Sequence, residues 1–69
     1  MNDRLLLTVE AYLQKKFGNH AIKLKQSSND ENMAEVLIND EFIGTLYQDL
    51  EDGEISFDFN MSILGEDLA

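Results

Sequence analysis

The densest cluster of potential metal ligands in the chain is Asp49, Glu51, Asp52 and Glu54. Hard cations such as Ca²⁺ and Mg²⁺ take several oxygens from a loop of fixed geometry. Laying the Ca²⁺-loop pattern on the chain with Gly53 at its sixth position puts Gln48 first and Leu50 third, and Leu50 has no side-chain oxygen to give. The pattern fails, and a solvated turn is the ordinary reading of such a charge run. A divalent-cation or small-molecule site on the acidic turn 49–54 stands as the alternative to the main reading given below.

His20 is the only histidine. General acid–base or nucleophilic work needs a partner held beside it, and no spacing in the chain supplies one, so a surface histidine near a helix end is expected. Lys15, Lys16, Lys23 and Lys25 form a candidate basic patch on an acidic body. Helix-end complementation and a solvated strand face account for them without function. The sharper reading is a docking surface for an acidic partner or for a second copy. No constellation of a catalytic kind emerges, so a non-enzymatic protein without cofactor or metal is expected.

The elements that carry these residues are readable from periodicity. Ile55, Phe57, Phe59, Met61 and Ile63 alternate strictly with Ser56, Asp58, Asn60 and Ser62, as on a strand with one buried and one wet face. That strand is expected to hold up to Phe59; beyond it the chain bends or turns into a short helix. The acids ending in Gly53 read as a turn before it, and Asn39-Asp40 as a tight hairpin turn. With a two-residue loop there, Val36, Ile38, Ile43, Thr45 and Tyr47 fall on one face. Leu37, Phe42, Gly44 and Leu46 fall on the other. Both faces carry apolar side chains, so part of the sheet is expected to be covered on both sides, with Leu37, Phe42 and Leu46 as the candidate interaction face.

Residues 2–17 read as an amphipathic helix, with Leu6, Val9, Leu13 and Phe17 on one stripe and Leu5 and Tyr12 flanking it. Asn2 or Asp3 caps its start, Lys15 and Lys16 complement its dipole, and Gly18 ends it. Residues 21–25 alternate as a strand, and 26–32 form a polar loop, expected to be mobile. Residues 65–69 are expected to fray, or to dock through Leu68.

Length and charge set the remaining bounds. Sixty-nine residues suit one domain, 1–69, and the chain has no Cys, Pro or Trp. A domain this small buries only about 60% of its unfolded surface, so help from a partner or a second copy is expected. All five basic residues precede Gln26, where Asp3 and Glu10 are the only acids; the twelve later acids meet no base, and the net charge is −9. Such a chain is a poor partner for nucleic acid or anionic lipid, and acidic mimicry of nucleic acid is a remote option. No apolar run approaches the length of a membrane span, and Leu5-Leu6-Leu7 is too short for a signal peptide. The absence of cysteine fits a reducing compartment, so a cytoplasmic protein is expected.

Several stretches together resemble a family of small acidic alphaproteobacterial proteins classed as a domain of unknown function. They are Lys15-Lys16-Phe17-Gly18-Asn19, Ala34-Glu35-Val36 and Asp40-Glu41-Phe42-Ile43-Gly44. Leu46-Tyr47, Asp49 and Asp52-Gly53-Glu54-Ile55-Ser56 continue the likeness, as do Phe57, Phe59, Met61, Ile63-Leu64 and Asp67-Leu68. The resemblance implies no activity, cofactor or site residue. The fold expected from the residues is α+β in α-β-β-β-β order, one helix packed on an antiparallel sheet of three or four strands. The expected role is a protein-interaction or self-association module using an apolar sheet face, its partner an unidentified protein or a homo-oligomer.

Overall fold

The computed structural model describes residues 1–68; Ala69 lies outside them, together with that part of the expectation for the C-terminal tail. Helix α1 (Asp3–Phe17) is followed by strands β1 (Ile22–Gln26), β2 (Met33–Ile38), β3 (Glu41–Asp49) and β4 (Ser56–Asn60). The strands form one antiparallel sheet in the order β1-β2-β3-β4, so the α-β-β-β-β arrangement is as the alternation implies. Short 3₁₀ turns occupy Glu51–Gly53 and Gly65–Leu68.

The helix ends where its residue types dictate. Asn2 is the N-cap, its Oδ1 accepting the Leu5 N–H at 2.7 Å; such caps are worth about 1 kcal/mol. Gly18 takes φ +62 beyond the last turn, and the N–H of Asn19 reaches back to the Gln14 carbonyl at 2.9 Å. The helix buries Leu6, Val9 and Leu13 against Ile22, Ala34, Val36 and Leu46. Phe17, the fourth residue of the expected stripe, stays exposed. Each fully buried aliphatic side chain is worth about 1.5–3 kcal/mol, so these seven residues carry much of the fold.

Asn39 and Asp40 form the two-residue hairpin turn, both at positive φ (51 and 66), as a type I′ turn demands. Ile38 lies opposite Glu41, as expected, but the register then slips: Leu37 faces Phe42 and Val36 faces Gly44. Ile43 is thus the extra residue of a β-bulge. The bulge reverses the expected sharing of faces. Ile43, Gly44 and Leu46 join Val36 and Ile38 on the face of the sheet that the helix packs on, while Leu37, Phe42, Thr45 and Tyr47 turn to the far side.

The far side also differs from expectation. No second layer of helix or sheet covers it among the described residues. Its rows run Lys23–Leu37–Phe42, Lys25–Glu35–Thr45–Asn60 and Met33–Tyr47–Asp58, mixed rather than apolar. The loop 27–32 is tied by hydrogen bonds: Gln26 Nε2 donates to the carbonyls of Asp30 and Met33, both at 3.1 Å, and Ser27 Oγ accepts the N–H of Asn29 at 3.1 Å. The tail after β4 leaves the sheet, and Leu68 does not dock but stays exposed.

Candidate functional site

Helix α1 sits over the β1 side of the sheet. The other half of the same apolar face, over β3 and β4, has no helix above it. An apolar groove results, in two lobes that meet at Leu13 and Phe59. One lobe, about 400 Å³, runs between Val9, Tyr12, Leu46 and Phe57. The other, about 250 Å³, lies among Phe17, Ile22, Ile38, Ile43 and Met61.

Phe59 is the centre of the groove. Its ring meets that of Phe17 edge-on, with centroids 6.4 Å apart and planes at 76°, a favoured aromatic geometry. The ring lies over Gly44: a Cβ built there would collide with a Phe59 ring carbon at 2.7 Å and with the backbone of Asn60. Gly44 is therefore the space into which β4 packs. Tyr12, Phe17 and Met61 on the rim are 61%, 57% and 57% exposed, and Phe57 and Phe59 are half-buried.

The groove offers little to a polar ligand. Of its polar liners, Thr8 Oγ1 donates to the Arg4 carbonyl at 2.9 Å and Asn19 Oδ1 accepts the Ala21 N–H at 2.8 Å, and Tyr12 adds one hydroxyl at the exposed rim. A hollow of about 720 Å³ beside the loop 27–32 is larger and polar, but many of its groups bond one another across the loop.

The residues singled out from sequence scatter. Leu46 is 2% exposed and belongs to the core, so it shares no face with Leu37 and Phe42, and the three-residue interaction face does not exist as drawn. The bulge at Ile43 is the reason. Leu37 and Phe42 do remain neighbours on the far side. Lys15 and Lys16 end α1, whereas Lys23 and Lys25 lie on the opposite face of the sheet, so the four lysines form no single patch. Lys23 Nζ reaches Glu10 Oε1 at 4.0 Å. In the acidic turn, Asp49 Oδ1 accepts the Glu51 N–H at 3.0 Å, and Asp52 and Gly53 take positive φ. No three acids, histidines or cysteines converge as a metal site requires among the described residues. His20 is exposed at the surface after α1.

The groove residues Tyr12, Phe17, Phe57, Phe59 and Met61 were visible in the sequence as apolar positions but gave no sign of being left uncovered. The usable signal was Gly44 inside a strand, which marks a bulge or a close approach.

No helix among the described residues is long and apolar enough to cross a membrane. No curated protein and no solved structure matches the chain. A family described as "Protein of unknown function (DUF3126)" matches residues 6–67, which takes in most of the helix, all four strands and most of the tail, and the chain belongs to that family.

Proposed function

We propose that this chain is a protein-interaction module, and that its contact surface is the groove between α1 and β4. One observation carries the reading: aromatic and methionine side chains on the rim are more than half exposed around an apolar floor. Small proteins rarely leave such a patch unless something covers it. Aromatic residues and Met are the types enriched at the centres of protein interfaces. A small-molecule pocket, by contrast, needs convergent polar groups to orient its ligand. The Leu37–Phe42 pair on the far side is a lesser candidate, diluted by Lys23, Lys25 and Glu35. We read residues 1–69 as one domain, and the cysteine-free composition fits a reducing compartment such as the cytoplasm.

A photocrosslinking residue tests this. Benzoylphenylalanine in place of Tyr12 is expected to yield protein adducts in cells expressing the chain, whereas the same group in place of the exposed Glu31 yields none. Equal yields at both positions, or none at Tyr12, would overturn the reading.

A further inference from the structure

The two edges of the sheet are treated differently. On β1, the Ser27 N–H donates across to the Met33 carbonyl at 3.1 Å. Backbone groups alternate along a strand, so those of Ile22 and Leu24 point outward. Three of these four groups are bonded within the chain, two of them by helix side chains. Glu10 Oε2 accepts the Leu24 N–H at 3.0 Å, and Gln14 Nε2 donates to the Ile22 carbonyl at 2.8 Å. The Ile22 N–H bonds the Asn19 carbonyl at 3.5 Å. Glu10 and Gln14 stand one helical turn apart and cover the edge together.

On β4 no side chain of the described residues does this. The Gln48 N–H donates to the Asn32 carbonyl at 2.8 Å, on the β2 side. Alternation then turns Tyr47 toward β4 and its partner Asp58, leaving the N–H and C=O of Phe57 and Phe59 directed outward. An unpaired edge of this kind is a template for another strand, and proteins ordinarily blunt it with Lys, Pro or a covering element. Residues 55–63 contain neither Lys nor Pro.

We propose that the β4 edge pairs antiparallel with the β4 edge of a second copy, about a two-fold axis at Phe59. The proposal rests on the reading of the β4 side as a contact surface and names its occupant. The strand is self-complementary in this register. Within β4, Phe59 faces its own copy and Asp58 faces Asn60; carried past the ends of the strand, the same register sets Phe57 against Met61, Ser56 against Ser62 and Ile55 against Ile63. Every apolar residue meets an apolar one and every polar residue a polar one, as a two-fold interface requires. A register centred on Asp58 would set two carboxylates directly opposite, which is destabilising.

The chain also exposes more area than a compact monomer does, the exposed tail 61–68 included. The chain exposes 5357 Å². A compact monomer of 7.9 kDa exposes about 4400 Å², an excess of roughly 950 Å². One partner's share of a standard interface is about 800 Å². The radius of gyration, 12.7 Å, likewise exceeds the roughly 11 Å of a compact chain of this length.

The test uses the full chain, which has no native cysteine. Sedimentation equilibrium is expected to show a dimer that tightens with salt, since two copies of charge −9 repel. On oxidation, the double variant Asp58→Cys/Asn60→Cys is expected to form a covalent dimer and each single variant none. Asn60→Asp, at an exposed position, is expected to weaken the dimer about tenfold by opposing carboxylates in both symmetric pairs, with circular dichroism unchanged. Amide exchange at Phe57 and Phe59 is expected to slow as concentration rises.

Crosslinking by Asp58→Cys alone would overturn the register. A monomer throughout, with fast exchange at both amides, would overturn the pairing. So would protection of those amides only by an extended peptide of another protein. In either case the groove reading still answers to its own photocrosslinking test.

Discussion

Leu46→Ala and Phe42→Ala, measured side by side, test the bulge at Ile43. A regular hairpin puts both side chains on one face; the observed register puts one in the core and the other in water. Leu46 is 2% exposed and lies between the helix stripe and Ala34. Truncation to Ala removes about three buried carbons, or roughly 2.4 kcal/mol at about 0.8 kcal/mol per CH₂. The cavity adds about 0.5–1 kcal/mol, at the low end because the groove beside Leu46 lets its neighbours settle. The expected loss is about 3 kcal/mol. Phe42 is 55% exposed, so the same truncation is expected to cost about 1 kcal/mol or less. With a urea slope near 1 kcal/mol per molar, the midpoint falls by about 3 M for Leu46→Ala and by no more than about 1 M for Phe42→Ala. Equilibrium unfolding followed by circular dichroism, at one fixed protein concentration, reads both. A chain of this length has a total stability of roughly 3–10 kcal/mol, so at the low end Leu46→Ala is unfolded before urea is added. Equal losses, or a larger loss at Phe42, would refute the register.

Gly44→Ala is expected to destabilise by about 1–3 kcal/mol, because its Cβ meets Phe59 and the Asn60 backbone; urea unfolding reads the loss, and an unchanged midpoint would contradict that packing. Glu10→Leu removes the acceptor of the Leu24 N–H and is expected to cost about 1–2 kcal/mol, while Glu10→Gln, which keeps an oxygen there, costs less; thermal melts of the pair separate a hydrogen bond from simple packing. Asp40→Gly is expected to stabilise by roughly 0.5–1 kcal/mol, since Asp40 holds φ 66 in a turn that prefers Asn-Gly; a lowered melting temperature would count against the turn type.

The helix and its caps were legible in the sequence because each signal had one meaning. Asn2, the Leu6–Val9–Leu13 stripe and Gly18 all agree on the same boundaries. The strands were legible for the same reason, but of the alternating run 55–63 only Ser56–Asn60 forms β4, and Ile55, Met61 and Ile63, expected on its buried face, are exposed. The face assignment failed on β3 because Phe42-Ile43 is apolar at both positions, so no polar residue marks where the alternation slips. The lysines misled differently: spacing placed them near one another along the chain, but Lys23 and Lys25 alternate with Ile22 and Leu24 and so leave the sheet on the face opposite Lys15 and Lys16, Lys23 curling round the edge to Glu10. The groove was illegible because which half of a sheet a helix covers depends on its crossing over β1. That crossing is fixed in part by Glu10 and Gln14, polar residues with no apolar pattern to announce them.

A strand edge behaves as a valence, and this chain spends one of its two internally. With both backbone groups of Ile22 and the Leu24 N–H already bonded on β1, each copy in the proposed pairing offers β4 as its open end, like a monofunctional monomer in a step-growth reaction. The proposed coupling through β4 would then consume those ends and stop at two chains. The side chains of Glu10 and Gln14 thereby act as chain terminators. A variant that frees β1 becomes bifunctional, and its product is a polymer whose length grows with concentration.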